Sequence, residues 1–226
     1  MKYLRAVATI AAKDLRSETR GKEGINAALA FAMVVLLLLS FAFDPSGEQA
    51  REFSGGLLWL VFAFAGTLIL NRSFARELGN DCLDALLAAP IPASALLLGK
   101  CCANWVILCA LYLVCLPVFG VFYTINVAVQ IPGLLVVIAL GAWAITVIGA
   151  MFSALTVNLR LRELMLPILV YPMLIPALLG AIQLTTELLA GAPIGGDNRI
   201  WLNLLIGFNV IFTALSVFFI ETVLVG

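Results

Sequence analysis

Six long apolar stretches set what this chain can become. They run over about Ile25–Phe43, Phe53–Leu70, Cys101–Tyr123, Ile131–Val157, Leu164–Ile182 and Trp201–Leu224. A helix of roughly 20 mostly apolar residues crosses the 30 Å or so of bilayer hydrocarbon, so each stretch is a candidate span. The second is the shortest and the fourth the longest, which predicts tilt or overhang. Hydrophobic residues make up 63% of the chain and charged residues 12%, against about 45–50% and 25% in soluble domains. The fold expected is an all-α integral membrane protein with six transmembrane helices. Residues 25–226 form the bundle, with no room for a separate soluble domain.

Orientation follows from Lys and Arg near the span ends. One side carries Lys2, Arg5, Lys13, Arg16, Arg20, Lys22, Arg72, Arg76, Lys100, Arg160 and Arg162; the other carries only Arg51 and Arg199. Eleven against two predicts both termini and the 72–100 loop on the cytoplasmic side. The first apolar run is longer than a signal-peptide core, has a long leader and lacks a clear cleavage site, so it reads as a retained helix. Within residues 1–24, Leu4, Val7, Ala8, Ala11 and Leu15 recur at helical spacing, with the cations largely elsewhere around the helix. That pattern suits an amphipathic helix lying on the headgroups; the plainer reading is a polybasic topology signal. Gly21 and Gly24 allow the turn into the first span.

Several chemistries are excluded. The chain has no histidine, which rules out Ser-His-Asp catalysis, an HExxH zinc site and axial histidine ligation of haem within it. No GxxxxGK[ST] phosphate loop occurs, so any ATP-driven work needs a partner. Between Cys101 and Leu159 there is no Asp, Glu, Lys or Arg. Ion-coupled carriers keep such groups at membrane depth, so an ion-driven carrier is disfavoured. Cys82, Cys101, Cys102, Cys109 and Cys115 form no CxxC pattern and read as small buried hydrophobes. No metal site is expected. Between the fifth and sixth spans, Thr185–Arg199 reads as a glycine-rich external loop whose apolar front half either dips into the outer leaflet or stays outside it.

The segment "RELGNDCLDALLAAPIPASALLLGK", Arg76 to Lys100, interrupts the apolar runs. Gly79 ends the extension of the second span, and Asn80 or Asp81 can cap a short helix whose first turn holds Asp81 and Asp84. Cys82, Leu83, Leu86 and Leu87 make an apolar stripe, and Pro90 and Pro92 end the helix. Arg72, Arg76 and Lys100 are the expected interfacial anchors. Such a helix either docks in a protein groove or lies on lipid; aspartates beside anionic headgroups favour the groove.

This segment resembles the first cytoplasmic loop of type-2 ABC exporter permeases, where R-E-x-G-x-x-x-x-L precedes a proline break and L-x-x-G-K. Further stretches, "AAKDLRSETRGKE", "GLLWLVFAFAGTLILNRSF" and "LPILVYPMLIPALLGAIQL", are similar to the CcmB family, the haem exporter B permeases of cytochrome c maturation. One departure is Gly79–Asp84, which reads GNDCLD where relatives commonly carry a G-[ST]-L-E core. Trp59, Trp105, Trp143 and Trp201 are scattered, unlike the tryptophan-rich CcmC subunit. The resemblance implies a non-catalytic permease domain over residues 1–226 in a bacterial inner membrane, with residues 1–24 as elbow helix. It implies a CcmA-like ABC ATPase that binds the ATP, together with CcmC-like and CcmE-like haem-handling partners. It also implies assembly as a homodimer or hetero-oligomer, with no cofactor held directly and haem handled by the complex. Glu77, Asp81, Leu83, Asp84, Leu86 and Leu87 fall at the implied ATPase contact. The alternatives are an exporter of lipid, polysaccharide or drug, and a passive scaffold.

Two spans carry further patterns. Pro167, Pro172 and Pro176 in the fifth each remove a backbone donor, giving either a kinked element able to change shape along a central path or a statically bent helix. Ala142, Thr146, Ala150 and Ala154 line the fourth with small residues for close packing.

Overall fold

The computed structural model describes residues 2–43, 52–74, 77, 91–156 and 161–225. Among these residues seven α-helices follow in order: α1 (Lys2–Gly21), α2 (Glu23–Ala42), α3 (Ser54–Leu70), α4 (Ala93–Phe122), α5 (Ile131–Thr156), α6 (Arg162–Leu189) and α7 (Arg199–Val225), with a short 3₁₀ turn at Gly196–Asn198 before the last. No strand occurs among the described residues. Five helices, α2 and α4 to α7, are long and apolar enough to cross a membrane, and α3 is a shorter apolar helix. The protein is therefore an all-helical integral membrane protein, as expected in a solvent that offers backbone groups no partners.

The shortest of the described α-helices, α3, is the most enclosed. Of the 17 residues of α3, 13 are buried, which makes it the axis that α2, α4, α5 and α6 surround. A helix apolar on all sides belongs in such a position. Only Leu60, Phe64 and Leu68, at i, i+4 and i+8, remain exposed along one stripe. Its contact with α5 interlocks. A Cβ placed on Gly141 would fall 2.0 Å from the Trp59 ring, and one on Gly149 would fall 2.3 Å from Leu70. The expected small-residue stripe of Ala142, Thr146, Ala150 and Ala154 is buried throughout.

Polar atoms inside the bundle tie helices together. Trp59 Nε1 donates to Thr185 Oγ1 at 2.9 Å, Trp143 Nε1 to Thr213 Oγ1 at 3.0 Å, and Trp105 Nε1 to the Ala139 carbonyl at 2.8 Å. Tyr112 stacks on Phe62 at 3.8 Å between centroids, and its hydroxyl donates to the Phe62 carbonyl at 2.8 Å. At the start of α3, the Gly55 N–H, which has no partner within its own helix, donates to Thr186 Oγ1 at 3.2 Å.

Three boundaries differ from expectation. The third span begins at Ala93, not Cys101, so Ala93–Lys100 is already helix. The fifth extends past Ile182 to Leu189. The apolar front of the expected 185–199 loop is thus the end of α6, with Leu188 1% exposed against the core. Finally, the turn between α1 and α2 is made by Lys22 in the left-handed region (φ 51°), with α-helix on both sides, and not by the flanking glycines. Pro167, Pro172 and Pro176 lie inside one uninterrupted helix. Pro172 and Pro176 face outward, while Val170, Leu174 and Ala177 face the core.

Adjacent glycines in α3 provide a test. A Cβ on Gly55 would lie 2.4 Å from the Ile182 carbonyl oxygen, whereas one on Gly56 meets nothing within 4 Å. Gly55→Ala is expected to destabilise by about 1–3 kcal/mol through overpacking. Gly56→Ala is expected to be neutral or to stabilise by up to about 1 kcal/mol. Thermal unfolding midpoints of the two variants in detergent check this; equal midpoints would contradict the packing of α3 on α6.

Candidate functional site: a buried ion cluster at the charged end of the bundle

α1 sits against the first turns of α4 because a glycine lets it. A Cβ on Gly99 would lie 2.7 Å from Ile10 Cβ and 3.1 Å from the Val7 carbonyl oxygen. Ile10, 5% exposed, joins Phe74, Leu96, Leu97 and Cys101 in a cluster that also takes in Ile220 near the end of α7. With α1 seated there, the residue after Gly99 decides the chemistry.

Lys100 is 1% exposed, and its ammonium uses all three donors: Glu77 Oε1 at 2.9 Å, the Ser73 carbonyl at 2.9 Å and Asp14 Oδ2 at 3.2 Å. Nζ also lies 5.0 Å from the Phe74 ring centroid. Lys13 completes a neutral quartet, bonding Glu77 Oε1 at 2.6 Å and Asp14 Oδ1 at 3.0 Å. Asn104 Nδ2 donates to Ser73 Oγ at 2.8 Å, holding the chain just beyond α3 against α4. Three separate segments, α1, the continuation of α3 and the start of α4, thus converge on one buried cation. Beside it lies a cavity of about 170 Å³ lined by Lys13, Asp14, Ser17, Glu18, Arg72 and Glu77 among others.

The titration of the cluster follows from these contacts. Burial pushes the Glu77 carboxyl up, but Lys100 and Lys13 outweigh it and hold the group below its ordinary 4.5. Burial pulls Lys13 down, and Glu77 and Asp14 outweigh that and raise it above 10.5. The depressed carboxyl contributes stability that is complete above about pH 4.5 and lost as pH falls through its folded value. The raised lysine contributes below about pH 10.5 and is lost as pH rises through its folded value. Both contributions are complete between those limits.

Of these residues, sequence reasoning singled out Glu77, Lys100 and Arg72. Glu77, expected at the ATPase contact, turns its carboxylate inward with 12% of the side chain exposed, because two lysines share one of its oxygens. Lys100, expected as an interfacial anchor, is buried beneath Phe74 and committed to its three acceptors. Arg72 is exposed and lines the cavity. Arg76, Asp81, Leu83, Asp84, Leu86 and Leu87 lie outside the described residues. Asp14 was missed, and Lys13 was read only as one of the cytoplasmic-side cations. The signal was present: Asp14 and Glu18 are the only acids before Lys22, four residues apart on a basic helix, and both face inward in the structure.

No group of three Cys, Asp or Glu side chains able to hold a metal occurs among the described residues. What the quartet can do is mechanical: it fastens the chain entering residues 78–90 to two helices at once. A bundle of long apolar helices, with the ion pairs of its described residues gathered at one end, defines an integral membrane protein with a joint at that end. The chain belongs to the CcmB protein family, whose profile matches residues 5–225. It is 34% identical over 172 residues to Heme exporter protein B of Rhodobacter capsulatus, covering 76% of this chain and 78% of that one. It is 32% identical over 180 residues to Heme exporter protein B of Paracoccus denitrificans, covering 80% and 82%. With the protein of the same name from Pseudomonas aeruginosa it shares 29% over 177 residues, 77% of each chain.

Removing one partner from a buried pair leaves a charge stranded, at a cost of about 3–5 kcal/mol. Lys100→Met is expected to lower the unfolding midpoint sharply at pH 7, and adding Glu77→Gln is expected to recover part of the loss. Glu77→Gln alone should fall below the unsubstituted protein at pH 7, the gap closing as pH drops beneath 4.5. A pH-independent gap would contradict the ion pairing.

Proposed function

We propose that this protein is the membrane subunit of an ABC transporter complex for c-type cytochrome biogenesis, coupling ATP hydrolysis by a separate subunit to haem delivery and release of the haem-loaded chaperone. Family membership across residues 5–225 is the observation that carries this reading. In it, the chain lies in a bacterial inner membrane with six spans, α3 among them, and both termini cytoplasmic. α1 is the elbow helix on the cytoplasmic headgroups. The charge asymmetry supports that sidedness.

Residues 72–100 are the coupling loop. Asp81, Leu83, Asp84, Leu86 and Leu87 make the contact with a CcmA-like ATPase, and Arg72 and Arg76 anchor the loop at the interface. Glu77 takes a different part from the one its position first suggests. It roots the loop through Lys100 and Lys13, so that displacement of residues 78–90 on ATP binding is passed to α1 and α4. Pro167, Pro172 and Pro176 give α6 carbonyls without donors, which loosens that helix for rearrangement. CcmC-like and CcmE-like proteins handle the haem, and the permease itself is non-catalytic.

Loss of the gene is expected to abolish haem-stained c-type cytochromes, with complementation by the unsubstituted chain. Asp84→Lys combined with Leu87→Asp is expected to insert normally but to lose complex-stimulated ATP hydrolysis. Intact cytochromes after gene loss, with hydrolysis stimulated by a lipid, polysaccharide or drug, would select a general exporter. Full hydrolysis in the double variant would overturn the docking role of the loop.

A further inference from the structure

α1 divides into three faces. One, centred on Ile10 and Asp14, packs on α4 and the ion cluster. A second presents Leu4, 73% exposed, with Ala8. The third, turned away from the bundle, carries Lys2, Arg5, Arg16 and Arg20, all exposed. Lys13 is neutralised by Asp14 and Glu77, but no ion pair among the described residues involves any of these four. Along this face Arg5, Arg16 and Arg20 stand around the short side chains of Ala8, Thr9 and Ala12.

We infer that this face binds the phosphates of anionic phospholipids. Arg5 to Arg20 span about 22 Å of helix. Guanidinium groups match phosphate oxygens bidentately. Connectivity fixes the level: Lys22 alone separates α1 from α2, so α1 lies where a spanning helix ends. The exposed Leu4 and Ala8 beside the cations suit acyl chains and glycerol, which an acidic protein surface does not offer. The inference rests on placing α1 at the membrane interface.

The test uses the full chain in non-ionic detergent with added phosphatidylglycerol or phosphatidylcholine, reading the unfolding midpoint. Phosphatidylglycerol is expected to raise the midpoint several degrees more than phosphatidylcholine, and that excess should fall away in about 1 M salt, where screening lengths shrink to roughly 3 Å. R5Q/R16Q/R20Q is expected to lose most of the excess, and R5K/R16K/R20K to keep much of it. Should the triple glutamine variant fail to fold, Arg16→Gln alone should show a reduced excess. Equal effects of the two lipids, an unchanged excess in the glutamine variants, or full reproduction by inorganic phosphate would each overturn the inference. So would loss of a co-purifying ATPase with the lipid response intact, which would make the face a protein contact. Absence of the lipid response with normal cytochromes c defeats this inference alone. The converse result defeats the functional reading alone.

Discussion

A lysine ammonium with 1% exposure survives at the start of α4 only because carboxylates and a carbonyl are brought to it. That requirement organises the charged end of the molecule. Asp14 comes from α1, Ser73 and Glu77 from beyond α3, and each must hold its place to within hydrogen-bond tolerance. Gly99 supplies the space for α1 to approach, so the Gly99–Lys100 pair acts as one device: close contact, then charge. Among the described residues the buried charges, Glu18, Glu77 and Lys100, all lie at this end. The remaining bundle is held by interlocked apolar surfaces and by tryptophan and tyrosine donors that find acceptors on neighbouring helices.

The all-helical membrane fold was legible because hydrocarbon thickness imposes a minimum apolar length. Boundaries were less so, for a physical reason. Ala93–Leu98 and Thr185–Leu189 are compatible with either loop or helix by composition, and neighbouring helices decide the matter by burying Leu96, Leu97, Leu184 and Leu188. The α1–α2 turn shows the same limit. Two glycines pointed to it, yet Lys22 between them takes the left-handed conformation.

The site was visible in part. Glu77 and Lys100 stood out as charges in an apolar setting, but their separation of 23 positions hid that they meet. Lys13 and Asp14 were hidden by a different effect. On a helix rich in cations, an acid looks like ordinary charge balance until packing turns it inward. A local pattern cannot show which face of a surface helix will be covered; the Gly99 contact determines that.

In the proposed mechanism Glu77 carries movement from the ATPase-facing loop into α1 and α4. The most direct measurement compares ATP turnover and release of the haem-loaded chaperone in the intact complex, with and without Glu77→Gln, under conditions where both remain folded. Continued ATP turnover with release slowed about tenfold or more, equivalent to 1.4 kcal/mol of lost coupling, is the predicted result. Release at the unsubstituted rate would contradict it.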